Sequence, residues 1–311
     1  MSELRKALHE YLTLRRALGF KLKTQGQILH KFVDFADREG ASFITRHLAL
    51  RWAMASPHGQ PAYCGRRFQV VRRFAEYRAG ADPRTEIPPR GLLSDSYRRR
   101  SPYVYSDDDI RKLIKAFQSL PSRRGLRGTT FATLFGLLAV TGLRISECLA
   151  LNRQDVDLTN GILHVYQSKF GKSRLVPLHP STCDALKHYA TVRDRIFPQA
   201  KDTRFFVSEL AAGLSCSEAQ HTFADLRLAI GLRSPAGQRR PRIHDFRHAF
   251  AIRALERLYR AGANVERYLP VLATYLGHVD VVSTYWYLTA TPKLLLLASH
   301  RLDRKRKEIG R

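Results

Sequence analysis

DVDLTNGILHVYQSKFGKSRLVPL, residues 155–178, is the stretch in which the hydrophobic pattern of this chain switches from helical to extended. Asp157-Leu158 leads into a Thr159-Asn160-Gly161 turn, and the run from Ile162 to Gln167 has the content of a strand. A Lys169-Phe170-Gly171-Lys172 turn follows, and Ser173 to Leu178 completes the pattern. Asn-Gly favours a hairpin because both residues tolerate positive φ. Three short runs closed by two turns predict a three-stranded antiparallel sheet.

Everything around that sheet reads as helix. Leu4, Ala7, Leu8, Tyr11, Leu12 and Leu18 recur with helical period and Gly19 ends the run. A second helix is predicted from Thr24, where Thr24 and Gln27 fit a capping box, to Gly40. A third runs from Thr45 to Ala55 and a fourth from Tyr63 to Ala79. Residues 1–80 therefore form a small helical bundle. Residues 81–103 differ in character: Pro83, Pro88, Pro89 and Pro102 oppose helix, and Arg98, Arg99 and Arg100 make a charge run, which predicts a basic linker. Helices resume at Ser106, an N-cap followed by Asp107, Asp108 and Asp109, whose carboxylates suit the positive end of the helix dipole. Further helices are predicted at Thr129–Val140, Ile145–Leu151, and from Ser181, Ser215, His244, Asn264 and Pro292. The fold class is mainly α with a small three-stranded antiparallel sheet, in two domains: 1–80, and 104–311 with a C-terminal helix.

Composition limits the partners. Lys and Arg number 53 against 27 Asp and Glu, for a formal charge of +26 over 311 residues. Residues 1–103 carry 20 basic and 9 acidic side chains, and the remaining +15 lies beyond them, so both parts are suited to phosphates. With 44% hydrophobic residues this is a folded protein and not a basic tail. Cys64, Cys148, Cys183 and Cys216 form no C-x-x-C pair, which argues against a zinc site or disulfide framework and predicts reduced, buried thiols. The charged N-terminus has no apolar core of a leader, and the best apolar run, Phe131 to Leu143, is too short for a bilayer; a soluble cytoplasmic protein is expected.

Four segments carry residues suited to phosphate chemistry. In Thr141-Gly142-Leu143-Arg144-Ile145-Ser146-Glu147, Arg144 offers a planar fork for two phosphate oxygens and Glu147 is spaced to orient it. The hairpin turn holds Lys169 and Lys172, either able to deliver a proton to a leaving oxygen. Arg242-Ile243-His244-Asp245-Phe246-Arg247-His248 sets His244 and Arg247 on one helix face; His244 and His248 could also pair on a metal, but no H-E-x-x-H pattern or third ligand accompanies them. Leu276-Gly277-His278 precedes Tyr285-Trp286-Tyr287, and a phenol needs neighbouring positive charge to attack phosphorus.

The order Arg144, Lys169, His244-x-x-Arg247, His278, Tyr287, with a lysine carried on a three-stranded β-unit, resembles the tyrosine recombinase (phage integrase) family. The resemblance covers the second domain and, through the helical bundle, nearly the whole chain. It implies a SAM-like core-binding domain ahead of an α+β catalytic domain, together forming a C-shaped clamp on duplex DNA. It implies that Arg144 and Arg247 hold the scissile phosphate, Lys169 protonates the departing 5′ oxygen, His244 and His278 assist, and Tyr287 is the nucleophile. Lys169 is chosen because the family's lysine stands eight residues before the proline of the third strand, here Pro177; Lys172 is the second choice. Tyr285 is the rival nucleophile, and an α-helix would point it away from Tyr287. No metal or other cofactor is implied. Arg98, Arg99, Arg100 and Lys172 are expected to contact the DNA backbone, and the leucine-rich helix after Pro292 to dock in a neighbouring protomer of a tetrameric synapse. An accessory recombinase or DNA-bending protein and a prokaryotic or mobile-element setting fit the same resemblance. Type IB topoisomerase, telomere resolvase and non-catalytic DNA-binding regulator are the alternatives.

Overall fold

The computed structural model describes residues 2–55, 59, 61–93, 102–166, 173–199, 201–234, 240–278, 280–289 and 291–309. It divides into two compact units, residues 1–99 and 100–311.

The first unit packs α1 (Glu3–Ala17), α2 (Lys23–Arg38), α3 (Arg46–Met54) and α4 (Pro61–Ala79) around Leu4, Leu8, Phe32, Val33, Trp52, Phe68 and Phe74. Ser2 and Thr45 cap α1 and α3 by accepting from the backbone N–H of Arg5 and Leu48. The capping box expected at Thr24 does not form. Leu22, in the left-handed region at φ 42°, precedes the first residue of α2 and caps it without a side-chain bond, which leaves Thr24 inside the first turn. The start of the proline-bearing segment is held on this bundle: Asp82 accepts from Arg84 (3.0 Å) and Arg78 (3.3 Å), and Glu86 accepts from the backbone N–H of Arg46 (2.8 Å). Arg98, Arg99 and Arg100 lie outside the described residues.

The second unit begins with α5 (Asp107–Gln118), whose Ser106 and Asp109 make a reciprocal capping box, then α6 (Arg127–Thr141) and α7 (Ile145–Ala150). Strands β1 (Val156–Asp157), β2 (Ile162–Val165) and β3 (Arg174–Pro177) pair antiparallel in the order β1-β2-β3, with Leu163 opposite both Val156 and Val176. Those side chains are buried, so the register is fixed by the core face. The tip with Lys169 and Lys172 lies outside the described residues. Then come α8 (Pro180–Ile196), α9 (Cys216–Ala229), α10 (His244–Arg260), α11 (Val265–Leu276), α12 (Val282–Tyr285), a 3₁₀ turn (Trp286–Thr289) and α13 (Pro292–Ile309). Cys216 is exposed at the first position of α9, a departure from the expectation that all four thiols are buried. No helix among the described residues is long and apolar enough to cross a membrane.

Helix α10 positions the site because it belongs to two cores. Phe246 and Ala249 enter the large one, where Phe246 stacks on Tyr105 (4.2 Å between centroids) and packs against Phe135 (5.7 Å). Ala251, Ile252 and Leu255, a turn later, enter a second core with Leu269, Leu276, Tyr287 and Leu294. Each large apolar side chain so buried contributes roughly 1.5–3 kcal/mol, enough to immobilise the first turn of α10 between the two.

Candidate active site

The site is built where α6 and α11 end. Gly142 closes α6 at φ +63°, and a Cβ on it would fall 2.6 Å from the Phe250 ring, so only glycine fits. This reversal frees the Gly142 carbonyl, which accepts from Arg247 Nη1 at 2.9 Å. Gly277 closes α11 in the same left-handed conformation, and there the Leu276 carbonyl accepts from Arg247 Nη2 and the Gly277 carbonyl from Arg144 Nη2 (3.3 Å). The negative end of the α11 dipole thus faces two guanidinium groups. A Gly142→Ala variant should lose about 1–3 kcal/mol by overpacking against Phe250, read as a lower melting temperature; an unchanged melting temperature contradicts this placement.

Arg144 is the N-cap of α7, and Glu147, at the third position of that helix, accepts from its backbone N–H (2.9 Å) and from its Nη1 (2.7 Å). Arg174, from β3, grips the same carboxylate with Nη1 (3.1 Å) and Nη2 (2.9 Å) and donates from Nε to the Tyr275 carbonyl (2.7 Å). Burial pushes the Glu147 carboxyl up, but the hydrogen bonds of Arg174 and of the Arg144 backbone, with both positive charges, more than reverse this and hold it below its ordinary value. Three guanidinium groups, Arg144, Arg174 and Arg247, therefore face one buried carboxylate. The surplus positive charge suits an anion. Arg247 is 2% exposed, and burial followed by repulsion from Arg144 lowers its pKa to about 10, which keeps it charged at neutral pH.

The histidines line the same place. His244, the first residue of α10, keeps an exposed edge, yet the protein around its ring and then the charges of Arg247, Arg144 and Arg242 lower its pKa to about 4. His278 follows Gly277 and shares a 2.7 Å hydrogen bond with the fully buried hydroxyl-bearing side chain of Thr284, which pins its ring. Burial, Arg247 and Arg144 bring it to about 4 as well. Both imidazoles are neutral at pH 7. An unfolded chain, with imidazoles near 6.5, takes up protons that the folded protein refuses between 6.5 and about 4, so stability is complete above 6.5 and falls as pH drops through that window. Denaturant midpoints measured across it should decline; a rise on acidification contradicts the assignment.

Tyr287 is 2% exposed, its ring parallel to that of His278 at 6.2 Å and its hydroxyl 3.0 Å from His248 Nδ1. It stands in the 3₁₀ turn and not on a continuous α-helix with Tyr285, as the sequence led one to expect; Tyr285 ends α12 and is 50% exposed. The change of helix type has the same consequence, one tyrosine inward and one outward. Arg144, Glu147, His244, Arg247, His278 and Tyr287 are brought together, whereas Lys169, Lys172 and the three linker arginines lie outside the described residues. Sequence reasoning gave no role to Arg174 or Thr284 and weighed His248 only as a metal partner of His244.

Residues 104–293 match the phage integrase family. An integrase/recombinase of Sinorhizobium fredii, y4rB, is 44% identical in an alignment covering 98% of each chain. The Tn1549 transposon integrase, solved in complex with transposon right end DNA, superposes with a TM-score of 0.70 at 16% identity, over 98% of this chain and 99% of that one. A lambda integrase tetramer bound to a Holliday junction gives 0.61 at 21% identity, over 89% of this chain and 77% of that one. The two structures agree with the fold described above, and the y4rB likeness runs end to end. With more than half of its length matching the family and a relative this similar, the chain belongs to the phage integrase family of tyrosine recombinases.

Proposed function

We propose that this protein is a site-specific DNA recombinase that cleaves and rejoins duplex DNA through a 3′-phosphotyrosyl link at Tyr287, in the service of a mobile element. The observation that carries this reading is the gathering of Arg144, Arg247, His244 and His278 beside the Tyr287 ring, in a pocket with surplus positive charge. Arg144 and Arg247, aimed by backbone carbonyls and Glu147, hold the non-bridging oxygens of the scissile phosphate. Neutral His244 and His278 hydrogen bond those oxygens. Tyr287 Oη attacks phosphorus, the bond to the 5′ oxygen breaks, and Lys169 gives that oxygen a proton, with Lys172 as the second choice. A 5′-hydroxyl of a partner duplex then attacks the phosphotyrosine. One ester replaces another of similar energy, so ATP is not consumed.

In this reading residues 1–80 form the core-binding domain, 81–103 with Arg98, Arg99 and Arg100 strap the DNA backbone, and 104–311 carry the chemistry in a prokaryotic cytoplasm. Trapping on nicked duplexes in EDTA should proceed undiminished, because arginine supplies the charge, and branched Holliday junctions should accumulate with two intact sites. Relaxation of supercoils without junctions would instead favour the type IB topoisomerase reading, and DNA binding with no cleavage a regulator.

Strand exchange between two duplexes needs four protomers, and α13 is proposed to join them. Leu294 is fully buried in its own domain, but Leu295, Leu296 and Leu302 are half exposed. Excising 293–311 would thus remove a core residue, and a double Leu295→Glu/Leu302→Glu variant is the cleaner test. Single-site binding should persist while tetramer assembly and strand exchange drop by about tenfold or more, the scale of a few interfacial hydrophobic contacts. Recombination at the full rate contradicts a role in assembly.

A further inference from the structure

His248 lies one turn beyond His244 on α10 and is half-buried, with its Nδ1 3.0 Å from the Tyr287 hydroxyl. The two histidines assigned to the phosphate are turned to other tasks. His278 spends Nδ1 on Thr284, and its ring lies near-parallel to that of Tyr287, 15° between planes and 6.2 Å between centroids. His244 stands among Arg144, Arg242 and Arg247, whose charges oppose the positive charge a base acquires. His248 itself is packed between two rings, Trp286 at 5.3 Å and 65° and His244 at 4.8 Å and 89°.

We propose that His248 is a further catalytic residue, the base that takes the proton of the Tyr287 hydroxyl. The proposal rests on the recombinase reading above. As the Oη–P bond forms and the P–O5′ bond breaks, the phenolic proton passes to His248 Nδ1 while the 5′ oxygen takes its proton from the general acid. In the second transesterification the incoming 5′-hydroxyl loses its proton to that acid's conjugate base, the P–Oη bond breaks, and His248 returns its proton to Tyr287. Both groups end as they began, and no outside proton donor is needed over the cycle. A phenol with a pKa of about 10 is almost wholly protonated at neutral pH, so an acceptor in contact with it has a direct effect on the rate.

The test uses the full chain and a nicked duplex whose site is recovered by binding selection from random duplex DNA, prepared with the scissile 5′ oxygen or with sulfur in its place. Sulfur leaves without protonation, so it restores variants defective in the general acid and does nothing for a defect on the nucleophile. His248→Ala and His248→Asn should bind as wild type and form the covalent complex about 10²-fold more slowly, equally on oxygen and sulfur, the scale of general base catalysis. Asn retains an acceptor near the place of Nδ1 without the ability to hold the proton, and it keeps the variant close to native packing. Wild-type rates in His248→Asn would reduce the contact to positioning and overturn the proposal. Faster cleavage by His248→Ala would make the contact a resting latch, and rescue by sulfur would put His248 on the leaving-group side; each overturns it too. A wild-type protein that forms no covalent complex would overturn the recombinase reading itself, a result distinct from an undiminished His248 variant beside an active wild type.

Discussion

Replacing Tyr287 by Phe is expected to bring covalent attachment to DNA below detection while DNA binding stays near wild type. The change removes one hydroxyl and no charge, so the electrostatic attraction that dominates affinity is untouched. It also removes the 3.0 Å contact with His248, a loss of about 1 kcal/mol in stability, small enough that the variant remains folded by circular dichroism. The paired control is Tyr285→Phe, which alters a half-exposed ring at the end of α12. Cleavage retained in Tyr287→Phe and lost in Tyr285→Phe would transfer the nucleophile to Tyr285.

Arg247→Lys is expected to lower the rate of cleavage by about 10²–10³, the usual cost of losing one preorganised donor to a developing phosphorane. The charge is conserved but the geometry is not. Arg247 uses two nitrogens to reach the carbonyls of Gly142 and Leu276, 105 and 29 residues away in sequence, and in the proposed mechanism its remaining donors hold the phosphate. A single ammonium group cannot hold both carbonyls and a phosphate oxygen in one plane. Single-turnover rates on a nicked duplex would show the loss, with equal salt dependence of binding as the sign that the net charge is intact. Cleavage by Arg247→Lys at the wild-type rate would show that point charge suffices and that the fork has no special role.

What could be read from the sequence divides along the range of the interactions. Helices that start at Thr45, Ser106 and Ser215 were legible because the cap and the N–H it satisfies lie within three residues. The start of α2 was not, since a left-handed leucine at position 22 carries no compositional signal and the Thr24-Gln27 pattern lay inside the helix. The β-unit was legible through Asn160-Gly161 and the return to Pro177. The site was legible as a set of four segments, but not as a wiring diagram. Arg174 is one of many basic residues in a chain of charge +26, and its partners Glu147 and Tyr275 are 27 and 101 residues distant. Nothing local distinguishes it from its neighbour Lys172. His248 reads in sequence only as a possible metal partner of His244, and its contact with Tyr287, 39 residues on, appears only when the chain is folded. The helix type at Tyr287 was misjudged for a related reason: the 3₁₀ turn is set by Tyr287 and Leu294 entering the core with Ile252 and Leu269, contacts that no window of sequence contains.

The central claim is that the chain cuts DNA by forming a 3′-phosphotyrosine at residue 287. The most direct measurement is to trap the complex on a nicked duplex, digest protein and DNA, and locate the adduct by mass spectrometry. The result expected is a peptide bearing a nucleotide joined through its 3′-phosphate to Tyr287. An adduct on any other residue, or a linkage through a 5′-phosphate, would contradict the account.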